Sequence, residues 1–335
     1  MRLVRYGEVS TALALLDDRR LGRLVDEARP LGVGVGGASA VLDVDGVPVF
    51  VKRIPLTDLE RDPRHVRSTA NFFELPVVCQ YSVVAHAAGG FGAWRELAAN
   101  TMTTNWVLTG RSEAFPLLYH WRVLPGAAPP TEEHADIERV VDYWDGSPAV
   151  RRRLRALAEA SASLVLFAEY VPHRLDTWLA EQDPEACLGV ERQLREAVAF
   201  MNGNGLLHLD AHFRNILTDG RRLYLADLGL ATSARFDLSA QERAFVVHHA
   251  NHDTGYASRE LVNWIVANVA GITGTAERHD YIRGCAAGAR PVGVPETLTA
   301  LLTRHARNAA VMNDFFWHVY GTSRTTPFPA DGVET

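Results

Sequence analysis

The chain has 335 residues, 47% of them hydrophobic and 22% charged, with a formal net charge of −6. Those proportions are those of a folded globular protein, and an acidic balance without a basic block argues against nucleic acid as the main partner. No apolar run approaches the roughly 20 residues of a membrane span, and the scattered Cys79, Cys187 and Cys285 with the N-terminus MRLVRYGEVS point to a cytoplasmic protein with reduced thiols.

In chain order, leucines and valines at helical spacing over residues 10–28 predict an amphipathic helix that Pro30 ends. From Leu31 to Ile54 the pattern is β. Asp45-Gly46 between valine-rich runs is a hairpin signal, because a type I′ turn needs φ > 0 at both positions. Residues 56–92 have no regular pattern. A helix over 93–109, a strand over 115–124 and a linker PGAAPP at 125–130 follow, then a charged helical stretch to about 160. SLVLFAEYV (163–171) reads as a buried strand, and the remainder is mostly helical apart from short β runs around 216–226.

Several motifs carry chemistry. Gly32, Gly34 and Gly37 fit G-x-G-x-x-G, which alone suits a dinucleotide turn, a phosphate-covering loop or a plain structural turn. The glycines feed a strand and a hairpin rather than a helix, which favours a loop over nucleotide phosphates. Fifteen residues on, Lys52 is the only lysine among 34 lysines and arginines. Its survival in an arginine-dominated chain suggests a position where a planar guanidinium would not serve. His208-Leu-Asp210-Ala-His212-Phe-Arg-Asn215 fits H-x-D-x-x-x-x-N. A turn signal at Asp219-Gly220 separates it from Asp227-Leu-Gly229 at the end of a short apolar strand. Asp210 suits proton acceptance from, or orientation of, an attacking hydroxyl. The Asn215 amide and the Asp227 carboxylate supply the hard oxygens that Mg²⁺ requires, and Gly229 allows a sharp turn.

These motifs, over about residues 31–260, resemble those of the protein kinase-like superfamily. The resemblance implies an α+β, bilobal fold: a small antiparallel β N-lobe over 31–171, with insertions at about 56–90 and 125–160, and a mainly helical C-lobe over 172–335. Residues 1–30 form a helical lead-in. It implies an ATP- and Mg²⁺-dependent phosphotransferase acting on an acceptor hydroxyl, with ATP bound between the lobes. The glycine loop covers the phosphates, Lys52 holds them, Asp210 is the catalytic carboxylate, and Asn215 and Asp227 bind metal. Glu169, Tyr170 and Val171 offer backbone groups to adenine, and Ala168 lines the back of that pocket. For the Lys52 partner the choice is Glu96 on the 93–109 helix over Glu74, which Pro76 follows too closely for a helix.

Two features diverge from protein kinases. Leu209 stands where an arginine is common, and His212 is similar to the H-x-D-x-H-x-x-N pattern of aminoglycoside phosphotransferases. Y-x-x-P-E is only loosely met at Tyr256–Glu260, and no clear D-x-W-x-x-G follows. The leading expectation is transfer to an acceptor hydroxyl as in serine/threonine protein kinases, with a small-molecule kinase of the aminoglycoside phosphotransferase type as the alternative. A nucleotide-binding pseudokinase that serves as an interaction module is a third reading. His248, His249, His252 with Asp253, and Arg151–Arg153 with Arg155, read as solvated helical faces, and Phe315-Phe316-Trp317 as a core anchor.

Overall fold

The computed structural model describes residues 2–34, 36–81, 87–127 and 136–334. Residues 82–86 of the expected first insertion and 128–135, which include part of the expected linker, lie outside them. The protein is mixed α+β and divides into two compact units. The first comprises residues 1–171 with 228–231 and 235–240, and the second the rest. Residues 1–30 belong to the first unit.

The first unit begins with two helices, α1 (Arg2–Ala14) and α2 (Asp18–Glu27), where the periodicity had predicted one. The break is chemical: the Asp17 side chain accepts from Arg20 N at 2.7 Å and caps a new helix. β1 (Arg29–Gly34), β2 (Gly37–Val44) and β3 (Val47–Leu56) form consecutive hairpins. Asp45 (φ 51°) and Gly46 (φ 81°) make the turn expected of them. The short α3 (Asp58–Arg61) and a longer loop lead to α4 (Ala93–Leu108), then to β4 (Leu118–Pro125). After α5 (Ile137–Tyr143) and α6 (Pro148–Ala158), β5 (Ala162–Glu169) completes an antiparallel sheet of order β1-β2-β3-β5-β4.

The two-residue period of β3 decides what each sheet face meets. Ile54 and Leu56 pack on Ala93, Trp94 and Leu97 of α4; Lys52, two residues earlier, points the same way. Arg53 points oppositely and bonds Asp26 of α2 at 2.8 Å. α1 and α2 contact β2 and β4.

The second unit opens with β6 (His173–Arg174), α7 (Leu175–Leu179) and α8 (Ala186–Gly203). Three very short strands follow, β7 (Leu206–Leu207), β8 (Ile216–Thr218) and β9 (Leu223–Leu225), then β10 (Thr232–Ser233). They pair as β10-β7 and β6-β8-β9. The helices α9 (Ala240–His248), α10 (His252–Asn268), α11 (Thr275–Ala286) and α12 (Glu296–Gly321) complete it. Its core gathers Leu194, Phe213, Ile216, Leu261, Ile265 and Leu302, so the segment after Asp210 is pinned by apolar burial on both sides of Arg214. Among the described residues no helix is long and apolar enough to cross a membrane.

Candidate functional site

In the first unit, Lys52 Nζ donates to Glu96 Oε1 at 2.7 Å, and the two residues are 8% and 4% exposed. Strand period and helix phase bring them together: Lys52 shares the α4-facing side of β3, and Glu96 follows Ala93 by three residues on α4. Glu74 is elsewhere. It has φ 54°, is exposed and lies 3.8 Å from Arg152.

The glycines above Lys52 are not equivalent. Gly34 and Gly37 face each other in register, and the chain reverses between them. Gly37 has φ 121°, and a Cβ there would lie 2.0 Å from Arg53 O, so packing inside the unit demands glycine. A Cβ on Gly36 would lie 2.8 Å from Lys52 Nζ. At Gly32 and Gly34 an added Cβ would meet nothing within 4 Å; nothing in the described protein requires those two to be glycine.

At the end of β5, the Glu169 carboxylate accepts from Arg2 Nε (2.9 Å to each oxygen), from Arg2 Nη2 (2.6 Å) and from Leu117 N (3.1 Å). Arg2 also donates to Phe115 O. Glu169 N–H is given to Leu117 O at 2.8 Å, which removes that donor from any ligand. Ala168 pairs with Leu118 and Phe50 in the sheet, and Val171 is buried.

Within residues 56–90, which had no role at the level of sequence, Glu60 fastens the start of α4. Glu60 Oε1 accepts from Ala93 N at 2.9 Å, and Trp94 Nε1 donates to Glu60 O at 2.8 Å. Arg153 Nη1 binds Glu60 Oε2 at 2.9 Å, with Arg153 2% exposed. Burial pushes the Glu60 carboxyl up, but Arg153, Thr57 and the Ala93 N–H together hold it below its ordinary value. The basic run is therefore not wholly a solvated face: Arg151 and Arg155 bind exposed Glu138, whereas Arg153 turns inward.

In the second unit, the His208–Asn215 segment folds on itself. Asn215 Nδ2 donates to Asp210 O at 3.0 Å and Asp210 Oδ2 at 2.9 Å. His212 Nε2 lies 3.6 Å from Asp210 Oδ1. With its nitrogen committed to Asp210, the Asn215 amide leaves Oδ1 as its ligand-capable end. Asn215 O accepts from Ala226 N at 2.9 Å, extending the β8–β9 ladder so that Asn215 faces the residue before Asp227. Asp227 itself has φ 57°. The left-handed turn of D-x-G thus falls on the aspartate; Gly229, expected to make it, lies outside that region.

The backbone of this segment hangs from one carboxylate that sequence reasoning had placed on a solvated face. Asp253, on the first turn of α10 and fully buried, accepts from His208 N at 2.7 Å and Leu209 N at 2.9 Å. Burial raises its pKa, but the neighbouring His252 ring, 3.5 Å away, and the His208 N–H prevail, holding it below the usual carboxylate range. Leu209 itself sits at φ 64° and is fully buried. His249 and His252 are buried too, packed against Phe328. The only sequence signal for Asp253 was an acid at the start of a helix, and its partners lie 44 and 45 residues away.

Among the described residues no three His, Cys, Asp or Glu side chains are arranged to hold a metal ion. Asn215 and Asp227 suit a different kind of site, in which Mg²⁺ takes one or two protein oxygens and completes its shell with phosphate and water. No family model matches the chain, and no curated protein matches it.

Proposed function

We propose that the chain is an ATP- and Mg²⁺-dependent phosphotransferase of the protein kinase-like superfamily, with a two-lobed kinase-like fold. The observation that carries this reading is the buried Lys52–Glu96 pair beneath the glycine turn. A buried ion pair contributes little net stability over an apolar replacement, so the chain's sole lysine is better accounted for by function. Its ammonium, oriented by Glu96, is suited to the α- and β-phosphates of ATP. The open space at Gly32 and Gly34 suits the close approach of phosphates to backbone.

The second unit supplies the complementary chemistry. Asp210, steadied by the Asn215 amide, orients the acceptor hydroxyl and takes its proton at a carboxylate oxygen. Mg²⁺, held by Asn215 Oδ1 and Asp227, would neutralise charge on the transferred group. Asp253 keeps the segment in shape through two backbone bonds. Glu169 O and Val171 N are the backbone groups this reading assigns to adenine.

A small hydroxylated acceptor is favoured over a protein under phosphorylation control. The position of the regulatory arginine is held by a fully buried Leu209, which leaves no cation there to pair with an activating phosphate.

The test is transfer of label from [γ-³²P]ATP, offered both a protein mixture and a panel of hydroxylated metabolites. Asp210→Ala is expected to abolish transfer while nucleotide binding persists. Asp227→Ala is expected to weaken Mg²⁺-dependent nucleotide binding. Wild-type transfer by either variant would overturn the assigned roles, and nucleotide binding without transfer by the natural chain would make it a pseudokinase.

A further inference from the structure

Beside the Asp210 segment, α10 and α11 of the second unit present arginines in a frame that α12 completes. Phe213 N, three residues after Asp210, donates to Glu260 Oε2 of α10 at 3.4 Å. Glu260 Oε1 accepts from Arg259 Nη1 at 2.7 Å. The Arg259 guanidinium lies over the rings of Tyr256 and Phe316, 5.5 and 4.9 Å from their centres. Burial pushes the Tyr256 hydroxyl pKa up, and the charges of Glu260 and Asp210 add to the effect; Tyr256 is thus within electrostatic reach of both Asp210 and the arginine above it.

A pair of asparagines fixes the arrangement. Arg259 Nε donates to Asn313 Oδ1 at 3.1 Å, and Arg278 Nε, from α11, donates to Asn263 Oδ1 at 3.0 Å. Asn263 Nδ2 in turn donates to Asn313 Oδ1 at 3.0 Å. The two guanidinium groups are therefore anchored through Nε on one amide pair, which orients their outer nitrogens.

The charge is not balanced. Arg259 is paired with Glu260, and Arg283 with Asp314 at 2.6 Å. The partners of Arg278 are both neutral, Asn263 Oδ1 and, at 3.1 Å, Thr273 O. Its Nη2 has no protein partner among the described residues. Burial and the neighbouring Arg259 push the Arg278 pKa down, against a smaller opposing pull from the charge of Glu260. A planar cation held by two neutral acceptors, with its outer edge uncommitted, is suited to fork an oxyanion.

We propose that Arg278, with Arg259 beside it, binds an anionic group on the acceptor, so that the substrate is a small hydroxylated molecule carrying a phosphate, sulfate or carboxylate rather than a polycation. This rests on the phosphotransferase reading above and narrows its acceptor. A polyamine sugar would meet the uncompensated guanidinium as a like charge.

The experiment offers the full chain labelled ATP with four matched acceptors: glucose, glucose 6-phosphate, glucuronate and glucosamine. Separately, glucose 6-phosphate binding is measured calorimetrically without nucleotide. The anionic sugars are expected to exceed glucose and glucosamine at least tenfold in kcat/KM. Arg278→Gln is expected to raise KM for them about tenfold or more with its melting temperature kept, and Arg278→Lys to restore part of the loss. Equal or better use of glucosamine, or an Arg278→Gln variant with unchanged KM, would overturn the anion site while leaving the phosphotransferase standing. Sugar phosphate bound through Arg278, with no transfer to any acceptor, would do the reverse. In Asp210→Ala the calorimetric binding is expected to survive, and its loss would count against an independent anion subsite.

Discussion

Lys52 has close neighbours on two sides: Glu96 Oε1 at 2.7 Å and the Gly36 backbone, where even a methyl carbon would come within 2.8 Å of the amine. A guanidinium is longer and planar, so Lys52→Arg cannot keep both contacts. We expect Lys52→Arg to lower kcat/KM for ATP by on the order of 10²-fold, the scale set by an ångström of misplacement. Gly36→Ala should reproduce much of this loss from the opposite side. Steady-state kinetics with ATP varied provide the check, and full activity in both variants would remove Lys52 from the site. The lysine was legible because the composition isolates it. Its partner was not decided by sequence, since Glu74 and Glu96 are both within reach along the chain. Only the phase of α4 over β3 separates them.

At the scale of elements, α4 is placed by a buried charge at its first turn. Gly92, at φ 148°, precedes it without a side-chain cap, and Glu60 supplies the missing acceptor to Ala93 N–H where a helix favours an anion. Arg153 makes that carboxylate tolerable in the interior. Removing one partner of such a pair leaves an uncompensated buried charge, so Arg153→Met should cost about 3–5 kcal/mol. The double variant Arg153→Met, Glu60→Gln should cost less than the two single changes together. Denaturant unfolding followed by tryptophan emission is suited to this, because Trp94 bonds Glu60 O directly. An unaltered midpoint in Arg153→Met would sink the anchoring role. Hairpins and long helices were readable from turn residues and periodicity. The inward turn of one arginine in a run of three was not, because a basic run carries no mark of which member finds a buried acid.

Across the whole molecule, buried histidines and carboxylates give stability a definite pH dependence. Burial, with the nearby His252, pushes His249 down to about 3, and burial lowers His305 as well despite Glu191. Unfolded, such a histidine binds a proton below about 6.5, so in the window from 6.5 down to 3 the unfolded chain holds more protons. Stability is therefore complete above about 6.5 and falls on acidification, by about 1.4 kcal/mol per pH unit for each such group. Glu60 and Asp253, both lowered, act in the same direction at more acid pH: their contributions are present above the ordinary carboxylate range and vanish as pH falls through their folded values. Melting temperatures should hold from pH 7.5 to about 6.5 and decline from there to pH 4.5. His249→Phe, which keeps the stacking on Phe245 and Phe328, should flatten the decline. Rising stability on acidification would contradict this account.

By itself the sequence determined the antiparallel hairpins around Asp45-Gly46, the helix bearing Glu96, the buried strand within SLVLFAEYV and the spacing of Asp210, Asn215 and Asp227. Each of these is written in local signals: turn chemistry, period and short motif. Tertiary structure alone decided that Asp253 carries the Asp210 segment, that Glu60 and Arg153 hold α4, and that Trp317 stands 53% exposed while Phe315 and Phe316 enter the core. It also set Arg278 against neutral partners beside Arg259. A buried carboxylate is stabilised by whichever donors the fold brings to it, and those donors lie tens of residues away, beyond the range over which sequence pattern has physical meaning.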